Sequence, residues 1–515
     1  GPREQMVLPA DLADQLNSMQ KPKPGGWISE TARNLMGTWK WWTLLNPKKA
    51  VGYMARNLTG DIDPLLASRA SALKYTNRAI NELHGYFGNR LSMSPELRSA
   101  RDLGVISSSL TASEIPDLKK LPIFRRLYQF DTPITDLPLE AMEKVKQFNE
   151  FRESMLRYAA YLSYLEELND KGTLTDFGAS NPNTVRVLQR VMGNEVAAAH
   201  LARNLLGDYG NITVLGQAIR SYLIPFYSWM EVNTKRWPRL ALNTLESGRL
   251  KGNNIASRGA IVGVGLLRLL ALTALMDLWN KLLFGDDDDK LGPNERANPH
   301  ILLGRRPDGT MRILRNTGGL GDFLEWFGVQ TLVSLWPEYE SGQITAGDLA
   351  SEMAKDPVNK LVQGAAPHLK FIPEVLMGES LFPDVFNRRP QERDEAMANM
   401  VSLRDEYRAA KGLLTKSGDR SRPHYWESYV GVGTVDPKRE TLSEVLSLRE
   451  KFLKSKGKPS VNVLRVSDFA PMREAAYGGD YEAFQEGRKR FVEKGKGIKN
   501  EWKNGLSNKR GTIAM

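Results

Sequence analysis

Between Leu139 and Leu168 the apolar positions Phe148, Phe151, Met155, Tyr158, Leu162 and Leu165 recur in steps of three and four. That spacing puts them on one stripe of an α-helix. Glu150, Arg152, Glu153, Arg157 and Glu166 fall between the stripe positions, which predicts a bundle or coiled-coil helix packed against another helix. A second helical segment runs from Glu195 to Leu206, and a third from Ile212 to about Ser247. Pro225 and Pro238 are expected to kink or break the third. Strand signals are scarce, so the pattern predicts a mainly α protein of extended multi-helix bundles, kinked by Pro and Gly, with a basic helical C-terminal tail.

The longest apolar run is GAIVGVGLLRLLALTALMDLWNKLLFG at residues 259–285. It has the roughly 20 apolar residues of a spanning helix, yet Arg268 sits in its middle and Asp277 near its end. Two readings stay open: a core helix, or a segment that also meets a bilayer. Gly259 and Gly263 form a small-xxx-small face for close helix contact. Arg268 needs a partner or a wet lumen, because facing lipid costs several kcal/mol. Asp277 and Lys281 are four apart and can pair on one helix face. Gly259, Gly263, Arg268, Asp277 and Trp279 are the candidate membrane or oligomer contacts. Arg249, Lys251 and Arg258 upstream and the Asp286–Asp289 tetrad downstream would orient an inserted helix with its N-terminal end on the cytoplasmic side. The aromatic zone Tyr222, Phe226, Tyr227 and Trp229, and Trp39, Trp41 and Trp42 beside Lys40, suit a membrane interface and a kinked core alike.

Loops concentrate around residues 21–26, 285–299, 378–390 and 416–423. Four regions follow: an N-terminal helical region at 1–130, a helical core at 131–290, a mixed loop and helix region at 291–400, and a basic helical region at 401–515. A short motif recurs in the first two: Ala32–Gly37 (ARNLMG), Ala55–Gly60 (ARNLTG) and Ala202–Gly207 (ARNLLG), the last two followed by Asp61 and Asp208. It reads as a helix end, with Gly as the left-handed residue and Asp free to start a turn or cap the next helix. The copies are unevenly spaced, so they mark no solenoid.

Composition narrows the chemistry. The 515 residues are 41% hydrophobic and 25% charged, as in a folded protein. There is no Cys, which removes disulfide scaffolds, thiol catalysis and Cys-based metal sites. The net charge of +11 permits contact with nucleic acid or anionic lipid. Much of it lies in the tail, where Arg488, Lys489, Arg490, Lys494 and Lys496 are candidate DNA or lipid contacts, read against a plain solvated helix or arm. The five histidines, His84, His200, His300, His368 and His424, lie far apart and predict packing or surface roles, not ligands. No Walker loop or GxSxG elbow occurs, and Gly318–Gly321 and Gly431–Gly433 lack the context of a phosphate cradle. The Asp tetrad reads as a solvated, self-repelling loop. No catalytic residue, cofactor or metal site is nominated.

Asn46-Pro47, Ala55–Asp61, Ile224–Trp229 (IPFYSW), the apolar run and Gly378–Asp384 (GESLFPD) together resemble the C-terminal region of very large phage and prophage proteins with large-polyvalent-protein-associated domains. In short-tailed phages such regions resemble internal virion proteins. The resemblance spans roughly residues 30–390. It implies a non-enzymatic helical protein, stored in the capsid interior and ejected into the host cell envelope. There it would form a homo-oligomeric conduit with other internal virion proteins and the portal, touching double-stranded DNA and the host inner membrane. Such regions often follow an N-terminal enzyme. The opening Gly1-Pro2-Arg3-Glu4-Gln5, without an initiator Met, fits an added start or the later part of a longer polypeptide. Two other classes stay open: a fragment of a virion-packaged polymerase or muralytic enzyme, and a co-injected anti-restriction or DNA-binding factor.

Overall fold

A computed structural model describes residues 34, 36–40, 60–68, 72–87, 93–114, 133–174, 176–251, 271–291, 295–296, 299–315, 318–340, 342, 344–365, 367–381, 385–386, 389–400, 406–407, 410, 427, 432–438, 445, 466–478 and 480–494. The described residues are mainly helical, as the periodicity predicts. The chain divides into two compact units: Gly1–Ala274 with Gly318–Phe323 and Asn359–Gly431, and Leu275–Thr317 with Leu324–Val358 and Val432–Met515.

The first unit contains α1 (Thr76–Phe87), α2 (Pro95–Asp102), α3 (Pro133–Lys171), α4 (Pro182–Met192), α5 (Asn194–Leu206), α6 (Val214–Tyr222) and α7 (Tyr227–Lys251). Its axis is α3, which packs on α1 and α5. The run Ala197-Ala198-Ala199 of α5 is buried, and side chains this small let helix backbones approach closely. Caps mark the ends. Ser94 accepts from the Leu97 amide at 3.2 Å, with Pro95 opening α2, and Asn181 accepts from the Asn183 amide at 3.0 Å, with Pro182 opening α4.

Periodicity identifies α3 but not how it is enclosed. Tyr158, Leu162 and Leu165 of the stripe are buried, whereas Phe148 is 55% exposed. Arg152, Glu153 and Arg157, which the spacing assigns to the outer side, are buried too. They meet polar groups instead of water. Arg157 donates to Ser108 Oγ at 3.0 Å and to the Leu206 carbonyl at 2.8 Å. Glu153 accepts from the Thr111 amide and hydroxyl at 3.1 and 2.8 Å. Arg152 Nη1 lies 3.8 Å from Asp61 Oδ2.

Pro225 ends one helix and Pro238 does not end the next. The third segment splits into α6 and α7 across Leu223–Phe226, where Phe226 takes φ 64°, while Pro238 lies inside α7. The recurring motif behaves unevenly. Gly207 is the expected left-handed residue after α5, at φ 86°. Gly37, however, lies within the helical stretch 36–40, and Gly60 opens the helical stretch 60–67. A residue without Cβ fits helical and left-handed backbone alike, so the pattern alone does not fix a helix end.

The second unit takes up most of α8 (Ala271–Phe284) and holds a small sheet. Strands β1 (His300–Arg305), β2 (Met311–Arg315) and β3 (Val432–Val435) pair antiparallel in that order. This sheet departs from the helix-and-loop expectation. Its cause is local: Arg306-Pro307-Asp308-Gly309 makes a tight turn, with the Gly309 amide bonded to the Arg306 carbonyl at 2.9 Å and Gly309 at φ 83°. Leu291, Leu302, Met311, Ile313 and Val435 form the core beneath it, with Phe284 packed against them. Asn280 of α8 is buried, donating to the His300 carbonyl at 2.9 Å and accepting from the Leu302 amide at 2.8 Å. Trp279 Nε1 donates to the Leu302 carbonyl at 3.0 Å.

The Asp tetrad is a one-turn helix rather than a solvated loop. Asp288 meets His300 Nε2 at 2.7 Å, and Asp287 meets Arg305 Nη2 at 2.5 Å and Lys290 Nζ at 3.1 Å. Arg305 and Lys290 thus offset part of the self-repulsion the sequence suggests. This unit also includes α9 (Val329–Glu340), α10 (Val466–Gly478) and α11 (481–494). The last two close over Val445, Met472, Ala475, Ala476, Phe484 and Phe491.

Candidate functional site

The first unit has a cleft of about 480 Å³ where α4, α5 and α7 meet. One stripe of α7, Val232, Lys235, Arg236 and Arg239, lines one wall. These positions follow the i, i+3, i+4, i+7 spacing that puts side chains on a single helix face. Asn181, Asn183 and Thr184 at the start of α4 line another wall, together with His200 and Asn204 of α5. Asp208, Asn211 and Thr213, following α5, complete it.

The floor is held by a chain of amide and hydroxyl contacts. Asn204 Nδ2 donates to Ser180 Oγ at 3.1 Å and lies 2.9 Å from His200 Nε2. Asn243 Nδ2 donates to the carbonyls of Gly178 and Ser180 at 2.6 and 2.8 Å, and Arg239 Nε donates to the Ser180 carbonyl at 3.3 Å. The loop bearing Ser180 is thereby fixed. Ser180, His200 and Asp208 converge on the cleft without forming a hydrolytic relay. An amide donor sits between the hydroxyl and the imidazole, and Asp208 faces Arg203 Nε at 3.5 Å. His200 is buried among helices, in keeping with the packing role its isolation predicts.

Behind the cleft lies a buried cluster of charge. Arg236 lines the cleft, donates through Nη2 to the Gly60 carbonyl at 3.2 Å, and leaves Nε and Nη1 without a hydrogen-bond partner. Burial pushes the Asp61 carboxyl up to about 6, against the opposing pull of Arg152, Arg157 and Arg236. Burial also raises Asp208, opposed by Arg203 and Arg157. Asp61 and Asp208, the residues that follow two copies of the recurring motif, therefore share the field of one arginine, Arg157.

The sequence-nominated residues that are described lie elsewhere. Asp277 pairs with Lys281 at 2.8 Å on the surface of α8, as their spacing predicts. Trp279 is half-exposed and bonds to β1. Gly259, Gly263 and Arg268 lie outside the described residues, as does Lys496. Arg488, Lys489, Arg490 and Lys494 share α11, where Lys489, Arg490 and Lys494 are exposed, Arg488 is half-buried and Arg490 pairs with Glu486. Among the described residues there is no cluster of potential metal ligands. The cleft went unnominated because its walls come from three helices. The cationic stripe of α7 was the available signal. Comparison with protein-family models, with characterised proteins and with solved structures returns no match for this chain.

Proposed function

We propose that this chain is an internal virion protein of a short-tailed phage. It is stored in the capsid interior and ejected into the host cell envelope. Copies then assemble, with other internal virion proteins and the portal, into a conduit for double-stranded DNA. The resemblance over residues 30–390 supports this reading, and one structural observation carries it furthest. Helix α8 buries Met276 and Asn280, the latter bonded to β1, while leaving Leu275, Leu278, Leu282 and Leu283 exposed, Leu282 by 73%. Contiguous apolar faces of this kind are uncommon on soluble monomers and mark contact surfaces. Val333 and Trp336 on α9, and Ile372 and Leu376 on Pro367–Met377, are exposed as well. Among the described residues no helix is long and apolar enough to cross a membrane, and on this reading the α8 face seats a sister copy.

The test is identification of the chain in purified particles and, after infection, in host envelopes, combined with imaging of the particle interior. The expected result is an ordered homo-oligomer around an axial channel. A chain missing from particles would sink the assignment. Leu278→Ser with Leu282→Ser should abolish assembly while leaving the melting temperature nearly unchanged, because both side chains already face solvent.

A further inference from the structure

We infer that the cleft of the first unit is a binding site for a small phosphate ester, a ligand of nucleotide size. Its volume of about 480 Å³ lies within the range of roughly 300–1,000 Å³ typical of small-molecule sites. Three cations of one α7 face, Lys235, Arg236 and Arg239, converge on it, against the single carboxylate of Asp208. That carboxylate is already turned to Arg203, so the cleft presents net positive charge to a ligand.

The cations differ in what they are free to do. Arg236 is buried and its Nε and Nη1 have no acceptor, an unsatisfied donor set behind the cleft wall. Glu231, nearly buried and held by the Thr213 amide and hydroxyl at 2.9 and 3.0 Å, meets Lys235 at 3.4 Å, and Lys235 is 64% exposed. Lys235 can turn to an incoming anion. Arg239 is held at one end by the Ser180 carbonyl, which positions its guanidinium for a phosphate oxygen. The α4 N-terminus adds its positive dipole end on the opposite wall. Ala179, Val187, Ile212 and Val232 add apolar surface to the lining. Asn183 and Asn211 offer amide groups beside it, a mixture suited to the face and edges of a base and to sugar hydroxyls.

The experiment is calorimetric titration of the full chain with adenosine monophosphate, adenosine and inorganic phosphate in turn. Adenosine monophosphate should bind saturably and be displaced by phosphate, and adenosine should bind at least about tenfold more weakly, the loss of one charge-assisted contact. Lys235→Gln with Arg239→Gln should weaken adenosine monophosphate binding by about tenfold or more. Lys235→Gln alone, at an exposed position, should do so by about threefold and guards against a folding defect in the double variant. Arg490→Gln with Lys494→Gln on α11 should leave binding unchanged. The inference is overturned by no binding of adenosine monophosphate at millimolar concentration, by equal affinity for adenosine, by phosphate binding without the ester, or by equal loss in the α11 variant.

Discussion

Arg157→Met removes the charge at the centre of the first unit. The side chain is 1% exposed, so the loss is not buffered by solvent. Its two hydrogen bonds go to Ser108 Oγ and to the Leu206 carbonyl at the C-terminus of α5, and both acceptors would be left in the interior. An orphaned buried group costs about 1–3 kcal/mol. The substitution also withdraws the positive field that opposes the burial of Asp61 and Asp208. Taken together, the loss falls in the range of about 3–5 kcal/mol seen when one member of a buried ionic set is removed. For a domain of this size that lowers the melting temperature by on the order of 10 °C. The assay is thermal and urea unfolding of the full chain at pH 7, followed by far-ultraviolet circular dichroism, with Arg157→Lys as companion. Lysine keeps the charge but not the two-pronged geometry, and should lie between wild type and Met. A Met variant within about 1 kcal/mol of wild type would refute the reasoning, since burial that harmless implies a cluster replaceable by apolar packing.

Asp61 sets a pH dependence. Its folded pKa of about 6 lies above its unfolded value, so the stabilisation it contributes is fully present below about pH 4 and lost as pH rises through about 6. Asp61→Asn should flatten the stability profile between those limits, and an unchanged slope would rule out this origin. Gly178 takes φ 50°, and a Cβ there would sit 2.7 Å from Tyr164 Oη and 3.2 Å from Leu205 Cδ1. Gly178→Ala should therefore cost about 1–3 kcal/mol, and adding Tyr164→Phe should recover part of it by removing the nearest atom. No recovery in the double variant would place the cost in the backbone and the Leu205 contact. Asn280→Leu would orphan the His300 carbonyl and the Leu302 amide. Amide exchange at Leu302 should accelerate strongly, and unchanged protection would disprove the bridge.

Helix α3 was readable because its stripe from Phe151 to Leu165 obeys helical spacing. Its all-round enclosure was not. Spacing cannot separate charge that meets water from charge that meets other buried charge, so Arg152, Glu153 and Arg157 read as an outer face. The α8 run posed the converse difficulty. Apart from the exposed Asp277–Lys281 pair its described part is mostly apolar, and the residue that fixes its orientation is the polar Asn280, which bonds to a strand 20 residues on. The hairpin turns at Pro307-Asp308-Gly309, but its flanks are too short to show alternation beside so much helical pattern. For the cleft, the α7 stripe was legible as spacing, whereas the opposing walls exist only once α4 and α5 fold back on it.

The bond set of Asn280 and Trp279 has one more consequence. Strand β1 is at an edge of its sheet, and edge strands expose main-chain groups to which a strand of another molecule can add. At β1 the outward groups of His300 and Leu302 are already occupied by side chains from α8. A helix thus does the work of a neighbouring strand without extending the ladder. A polypeptide held at high local concentration is exposed to runaway strand addition, and at His300 and Leu302 such growth meets groups that are already bonded. Association through α8 would then proceed by side-chain packing, which can be finite and reversible, rather than by strand addition.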